Sequence, residues 1–198
     1  WSWRAFPPAF WLFVAPTALF TLGNSSDAFL ALRSQQLGVS VRDLLVIVIA
    51  FNVANALVAW PVGALSDRVG RRGLIGLAWT LYAAVYAGFA LAPSAAAVPV
   101  LWIAYGAYYG VAEAVGRALV ADLAPVELRA TGYGILNAVV GLTILPASLA
   151  AGLLWDGFGP AAPFWFGSAC AAAGLAVLVL FVRPRPSAPT TAARRPTL

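Results

Sequence analysis

The sequence has no histidine, no lysine and no methionine, and it has one cysteine among its 198 residues. Without histidine there can be no His-dependent catalytic triad and no HExxH zinc site. The GxSxG turn of a serine hydrolase is also missing from the sequence. Cys170 stands alone in an apolar run, which excludes an intrachain disulfide. We therefore expect no enzyme, no metal site and no cofactor here.

Charge is scarce as well: 10% of the residues are charged, whereas 62% are hydrophobic. A soluble domain is typically about 25% charged and about 45–50% apolar. Apolar runs of about 18–25 residues recur along the chain, and each can cross a hydrocarbon core about 30 Å thick. Because unpaired backbone groups are not tolerated in lipid, the sequence predicts an all-α membrane protein.

The apolar runs predict six transmembrane helices, separated by Gly, Pro and Ser residues. Their expected bounds are Phe10–Leu30, Leu44–Leu65, Leu74–Leu91, Val98–Val120, Tyr133–Leu154 and Phe164–Val182. Residues 1–183 would form one domain, and the Pro-, Thr- and Arg-rich segment 184–198 would be a disordered tail. Because the sequence begins with Trp1 and contains no methionine, we expect it to be a piece of a longer polypeptide.

The arginines are unevenly divided between the two sides that six spans define. One side would carry nine of them: Arg4, Arg68, Arg71, Arg72, Arg129, Arg183, Arg185, Arg194 and Arg195. The other side would carry Arg33 and Arg42, while Arg117 lies within a span. The positive-inside rule then predicts cytoplasmic termini, in a plasma membrane or bacterial inner membrane. The arginines form no single basic face with interleaved aromatics, so nucleic acid is not an expected partner.

Residues 63–72, which join the second and third spans, have the pattern G-x-x-x-D-R-x-G-R-R. Gly63 would allow a neighbouring helix to approach closely, and Gly70 would allow a tight turn. Asp67 would lie at the negative end of its helix, so it needs a nearby cation or helix N-terminus. Arg71 and Arg72 would donate to carboxylates and lipid phosphates, or serve only as positive-inside charges.

Polar side chains recur inside the fourth span, although a charge there costs roughly 2.5–3.5 kcal/mol. One face of this helix carries a polar residue at every fourth position: Tyr105, Tyr109, Glu113 and Arg117. Glu113 and Arg117 can pair, so the stripe either faces a translocation pathway or holds helices together through a structural ion pair. Beside it, Gly106 and Gly110 predict a close contact with another helix.

The first two spans also contain polar residues, namely Asn24 and Asp27 in the first and Asn52 and Asn55 in the second. They would line a pathway, bond across helices, or mark a hydrated helix end. A desolvated carboxylate favours its protonated form, so Asp27 and Glu113 are candidate proton carriers. The neighbouring Arg117 works against Glu113 in this role because a cation favours the ionised form.

The corner pattern resembles the cytoplasmic signature of the major facilitator superfamily, which lies between the second and third helices of each half. Other segments resemble the seventh, tenth and eleventh helices of bacterial members: residues 22–29, 105–125 and 145–156. The resemblance implies the carboxy-terminal six-helix half, built as a three-plus-three inverted repeat. It implies a secondary transporter that moves a small solute by alternating access in a lipid bilayer. The other half would come from the same polypeptide or a second copy.

The resemblance also implies a cytoplasmic charge latch that closes against the other half and opens during transport. By position, Asp67, Arg68 and Arg71 would belong to this latch. The next cytoplasmic corner offers expected partners: Asp122, Glu127 and Arg129. Exposed pairs contribute only about 0–1 kcal/mol each, which suits a gate that must break. The alternative is a six-span scaffold or assembly protein, which would need neither a latch nor a polar stripe.

Overall fold

The computed structural model describes residues 5–181, except for the side chains at 67–69 and 181. Within this range the chain is helical and has no strand. Its helices are α1 Pro8–Gly23, α2 Ala28–Gln36, α3 Val41–Val69, α4 Arg71–Leu91, α5 Val98–Leu123, α6 Arg129–Phe158 and α7 Ala162–Phe181. The predicted tail, residues 184–198, lies outside the described part, as do residues 1–4.

Five of the predicted spans are single helices in the described part of the chain: α3, α4, α5, α6 and α7. Each is long and apolar enough to cross a membrane. The longest, α6, has 30 residues. At a rise of 1.5 Å per residue it is about 45 Å long, so it extends beyond a hydrocarbon core of about 30 Å. The all-α prediction is confirmed.

The predicted first span, Phe10–Leu30, is not one continuous helix. Helix α1 ends at Gly23 and α2 begins at Ala28, so residues 24–27 interrupt it. These residues are Asn, Ser, Ser and Asp, whose side chains compete with helical hydrogen bonds. The Asn24 N–H bonds to the Thr21 carbonyl at 3.0 Å, which closes a tight turn instead of continuing the helix. Six spans were predicted, whereas five helices of the described residues are long and apolar enough to cross a membrane.

Helix α4 is the most buried of the five long helices, and it packs between α5 and α7. Helix α3 packs mainly on α5, and α1 packs on α7 and α6. In contrast, α3 and α6 leave most of their surface uncovered, and Trp60 of α3 is 87% exposed. In a bilayer these apolar faces are available to lipid or to another membrane-spanning unit.

Two glycines bring α5 into backbone contact with α3, as their spacing predicts. A methyl group on Gly106 would collide with the Phe51 carbonyl oxygen. One on Gly110 would lie 2.6 Å from the Asn55 carbonyl oxygen. The α3–α5 pair therefore depends on the absence of side chains at these positions, because backbone atoms cannot move aside as a flexible side chain can.

Candidate functional site

The break between α1 and α2 is fixed by contacts with three other helices. A Cβ on Gly23 would lie 2.8 Å from the Gly167 Cα, so α1 and α7 touch through their backbones. The Gly23 carbonyl accepts a hydrogen bond from the Tyr82 hydroxyl of α4 at 2.9 Å. The Ser26 N–H donates to the Ser148 hydroxyl of α6 at 3.3 Å. Side chains thus satisfy backbone groups that an unbroken helix would pair internally.

Asp27 lies at the end of this break, immediately before α2. One of its carboxylate oxygens accepts a hydrogen bond from the Tyr105 hydroxyl at 2.7 Å. The Tyr105 side chain is fully buried, whereas Asp27 is exposed in the described part of the chain. Among the residues that the structure describes, Asp27 forms no ion pair. The structure therefore joins two predicted site residues from different spans, and one carboxylate oxygen remains available.

Five of the six tyrosines lie together beneath the break: Tyr82, Tyr86, Tyr105, Tyr108 and Tyr109. The ring centroids of Tyr82 and Tyr86 are 4.1 Å apart. The Tyr86 side chain is 1% exposed, and its hydroxyl has no hydrogen-bond partner in the described part of the chain. We call this group the tyrosine cluster. It surrounds the buried side of the Asp27–Tyr105 contact with neutral hydroxyl groups.

Sequence reasoning selected Tyr105 and Tyr109 but missed the three other members of the tyrosine cluster. Tyr82 and Tyr86 are four residues apart on α4, so they share one face of that helix. This spacing was a usable signal for a polar stripe in the third span. Tyr108 is three residues after Tyr105, a spacing that also places two residues on one helix face, but the predicted stripe followed only every fourth residue.

Helix α2 is anchored by side chains to the ends of α4 and α5. The Trp102 indole N–H donates to the Ser34 hydroxyl at 3.0 Å. The Arg33 Nε donates to the Phe89 carbonyl oxygen at 3.2 Å. Because α2 has no helical continuity with α1, these bonds hold it in place independently. Helix α1 thus packs mainly on α7 and α6 and is also bonded by Tyr82 of α4, whereas α2 is bonded near the end of α4 and the start of α5.

Glu113 and Arg117 continue the α5 stripe and form an ion pair at 2.5 Å, as predicted. Both side chains are exposed in this unit. The Tyr133 hydroxyl of α6 donates to the Arg117 carbonyl oxygen at 3.0 Å. Along the stripe, exposure therefore increases from the buried Tyr105 through the half-buried Tyr109 to this pair. Glu113 already has a cationic partner, whereas Asp27 has none among the described residues.

The predicted amides are not gathered around Asp27 by hydrogen bonds in the described part of the chain. Asn24 lies in the break itself and is half-buried. The Asn52 side chain is exposed, and its amide donates to the Val48 carbonyl oxygen of its own helix at 2.8 Å. Asn55 is half-buried, and its backbone carbonyl faces Gly110. Asn52 is thus bonded within α3 and not across helices.

At the predicted cytoplasmic corner, Gly70 joins α3 to α4 with a φ of +93°, which favours glycine. The Arg71 guanidinium donates to the Ala118 carbonyl oxygen at 2.7 Å and pairs with Asp122 at 2.5 Å. The geometry thus brings Arg71 of the predicted latch together with Asp122, one of the partners expected for that latch. This contact ties the start of α4 to the end of α5.

The other corner residues are placed differently. Arg129 donates to a carbonyl at the end of α5 at 3.0 Å, and Glu127 forms no ion pair with any described residue. No described atom lies within 4 Å of a Cβ built on Gly63, so the close approach expected there is not made within this unit. The side chains of Asp67 and Arg68 lie outside the described residues.

Arg72 caps the last turn of α7, a role that sequence reasoning did not identify. Its Nη2 donates to the carbonyl oxygens of Leu178 and Val179, each at 2.7 Å. These carbonyls lie at the end of the helix, where few of them have intrahelical partners. A cation there also opposes the negative end of the helix dipole. Arg72 therefore links the start of α4 to the end of α7.

We expect Arg72→Gln to lower the melting temperature of the purified intact protein by about 1–4 °C. A cation at a helix C-terminus typically contributes about 0.3–1 kcal/mol, which corresponds to a shift of this size. Arg129→Gln is the matched control, because Arg129 bonds to a carbonyl at the end of another helix, α5, but to only one. If Arg129→Gln lowered the melting temperature as much as Arg72→Gln, the result would contradict the special role of the α7 cap.

Comparison with known proteins gives a consistent set of matches. The sequence model of the Major Facilitator Superfamily matches residues 3–197. An uncharacterized MFS-type transporter of Methanocaldococcus jannaschii is 36% identical over 177 residues, which cover 86% of this chain and 44% of that protein. An uncharacterized protein of Mycobacterium tuberculosis is 29% identical over 153 residues, covering 77% of this chain and 37% of that protein.

The class C tetracycline resistance protein of Escherichia coli is 35% identical over 114 residues. That alignment covers 55% of this chain and 27% of the resistance protein. The chain thus spans less than half the length of the curated relatives described. With a family match over nearly its whole length and five helices able to cross a membrane, the chain is an integral membrane protein that belongs to the major facilitator superfamily.

Proposed function

We propose that this chain is the carboxy-terminal half of a proton-coupled transporter that moves a small solute by alternating access. Its similarity to an MFS-type transporter and to a resistance protein supports transport as the activity. The remaining length of those relatives supports a second half in the same polypeptide, and the resemblance to the seventh, tenth and eleventh helices would make that half the amino-terminal one. A second copy of the chain is the other possible source of that half. The arginine distribution favours a plasma membrane location with cytoplasmic termini.

The observation that carries proton coupling is the Asp27 carboxylate on the Tyr105 hydroxyl, at the break between α1 and α2 in the segment predicted as the first span. A carboxylate at membrane depth is costly when charged, and protonation removes that cost. Because α1 packs mainly on α7 and α6 while α2 is bonded to α4 and α5, the charge at Asp27 lies between two segments whose main contacts differ. Loading and release of a proton there would change the relative stability of two arrangements of those segments.

Glu113 fits the role of proton carrier less well than Asp27. Its carboxylate already has a cationic partner in Arg117, whereas Asp27 has none among the described residues. We assign Asp27 to proton loading, and the Glu113–Arg117 pair to the wall of the pathway. The pair would line the pathway along the part of α5 that lies between the tyrosine cluster and the cytoplasmic corner.

The cytoplasmic corner would act as the gate of this transporter. Arg71 and Asp122 already pair across the ends of α4 and α5. Asp122 is about half exposed, so the pair contributes only about 0–1 kcal/mol and can break in each cycle. Asp67, Arg68, Glu127 and Arg129 would engage the other half when the cytoplasmic side closes.

A transport screen in proteoliposomes tests this function. The intact protein is reconstituted, a pH gradient is imposed, and labelled neutral and cationic solutes are offered. Protein-free liposomes and the Asp27→Asn variant serve as controls. Solute accumulation that requires both the gradient and Asp27 is the expected result. If no solute moves in a protein-dependent way, transport is rejected, and the result favours a scaffold or assembly protein.

A further inference from the structure

We infer that the break between α1 and α2 binds an organic monocation bearing an aromatic group, with Asp27 as its counter-ion. Tyr109 and Phe51 would provide the aromatic surfaces that receive it. This inference rests on the proposed function and names the solute class of the same site. The predicted solute is a cation with a flat apolar part, and not an anion, a sugar or an inorganic ion.

The first support is the charge around Asp27. Tyr105 binds one carboxylate oxygen and leaves the other available. Neutral hydroxyl groups surround the Asp27–Tyr105 contact: the Tyr105 ring packs against Tyr86 of α4 and against Tyr108 and Tyr109 of α5, and Ser148 of α6 lies beside the break. The nearest arginine along the chain, Arg33, is bonded to the Phe89 carbonyl. The carboxylate thus lacks a described cationic partner, which a bound cation would supply.

The second support is the accessibility of two rings. Tyr109 and Phe51 are half-buried, whereas the other four tyrosines of the cluster are almost completely buried. Their ring centroids are 5.6 Å apart in an edge-to-face arrangement. Tyr109 lies 5.2 Å from the Tyr105 ring, whose hydroxyl reaches Asp27. A cation paired with Asp27 could therefore place its charge or its aromatic group against an accessible ring face.

Other solute classes fit these residues poorly. An anion would meet Asp27 and Glu113, and the nearby Arg117 is already paired with Glu113. A sugar needs several free hydrogen-bonding side chains, but the Asn52 amide is bonded within its own helix. An inorganic cation would make no use of the ring faces. An aromatic monocation uses both the carboxylate and the rings.

Because a proton and the organic cation would use the same carboxylate, they would exclude each other. Binding of the cation to the protonated site releases one proton to water and leaves an Asp27 carboxylate paired with the cation. Binding of a proton releases the cation. Charge is conserved in each exchange, so this competition would make the transporter an antiporter.

The test uses tetraphenylphosphonium, an aromatic monocation, and tetraphenylborate, an anion of nearly the same size and shape. Binding to the purified intact protein in detergent is measured by equilibrium dialysis, with proton release followed in weakly buffered solution. We expect saturable phosphonium binding with proton release at acidic pH, and at least tenfold weaker binding of the borate. Affinity for the phosphonium should increase as the pH rises.

Variants localise the binding. Asp27→Asn should weaken phosphonium binding at least tenfold, whereas Asp156→Asn, an exposed carboxylate near the end of α6, should leave it unchanged. Tyr109→Leu should weaken it about threefold to tenfold, and Tyr109→Phe, which keeps the ring, should not. Melting temperatures are recorded for every variant. If Asp27→Asn is unstable, Asp27→Glu is used in its place. Because this variant keeps a carboxylate, it should still bind the phosphonium, but more weakly than the parent.

Equal affinities for the two probes, or phosphonium binding that is unaffected by Asp27→Asn, would overturn the inference. Its failure is distinguishable from failure of the proposed function. Gradient-driven movement of a neutral solute that depends on Asp27, without phosphonium binding, would reject only the solute class. Absence of any protein-dependent transport would reject the function itself.

Discussion

Replacing Asp27 with asparagine is expected to abolish pH-driven transport by the intact protein, with a fall of at least 100-fold in the gradient-dependent rate. Asparagine has nearly the same size, and its side-chain oxygen can still accept the Tyr105 hydrogen bond. It cannot bind or release a proton and carries no charge. The substitution therefore removes titration while it retains the local packing of the break.

Glu113→Gln is the matched comparison, because it makes the same chemical change in a carboxylate that is already paired with Arg117. We expect it to retain at least a tenth of the pH-driven rate. Both variants are compared at equal reconstituted amounts, with solute movement and internal pH recorded together. Full activity of Asp27→Asn, or a larger loss in Glu113→Gln, would show that Asp27 is not the proton carrier.

Gly110→Ala is expected to separate α3 from α5 and to destabilise the protein by about 1–3 kcal/mol. The new methyl group would lie 2.6 Å from the Asn55 carbonyl oxygen and 3.0 Å from the Ala59 backbone nitrogen. Backbone atoms of a helix cannot yield locally, so the whole α3 helix must shift. Gly106→Ala, which collides with the Phe51 carbonyl, should behave in the same way.

Gly116→Ala on the same helix provides the control. A Cβ at that position meets no described atom within 4 Å, so nothing opposes the substitution. Alanine is favoured over glycine in a helix by about 0.8–1 kcal/mol, and the variant should be as stable as the parent or more so. Thermal unfolding of the purified proteins separates the cases. Equal melting temperatures for Gly110→Ala and Gly116→Ala would contradict the backbone contact between α3 and α5.

The features that sequence reasoning identified correctly depend on local information. Five spans were found because apolar length and Gly, Pro or Ser breakers are read from neighbouring residues. The Glu113–Arg117 pair was found because a helix brings residues four apart onto one face. The pairing of Arg71 with Asp122 came instead from a resemblance that placed two corners on the same side of the membrane.

The break in the first span was harder to predict because tertiary contacts stabilise it. Residues 24–27 are polar enough to leave a helix, but the same residues could also sit at a hydrated end of a continuous helix. The Tyr82 hydroxyl on the Gly23 carbonyl and the contact between Gly23 and Gly167 decide between these outcomes. Neither contact has a signature in the local sequence.

Small-residue patterns carried the same ambiguity. Gly63 and Gly110 both lie within long apolar helices, and both were expected to permit close helix contacts. Only Gly110 makes one within the described unit, because the sequence does not tell which face of a helix has a neighbour. The tyrosine cluster shows the same limit, since its members come from two helices that meet only in the folded protein.

Labelling of the break from each side of the membrane tests most directly whether the break lies in a pathway that opens alternately to the two sides. Ser26→Cys, placed in the intact protein without other cysteines, is treated with a membrane-impermeant maleimide in right-side-out and in inside-out vesicles. Ser26 is exposed in the described part of the chain and lies beside Asp27. We therefore expect the thiol to react from both sides, and the imposed pH gradient to change the two rates in opposite directions. A thiol that reacts from one side only, at a rate independent of pH, would contradict the placement of Asp27 in the transport pathway.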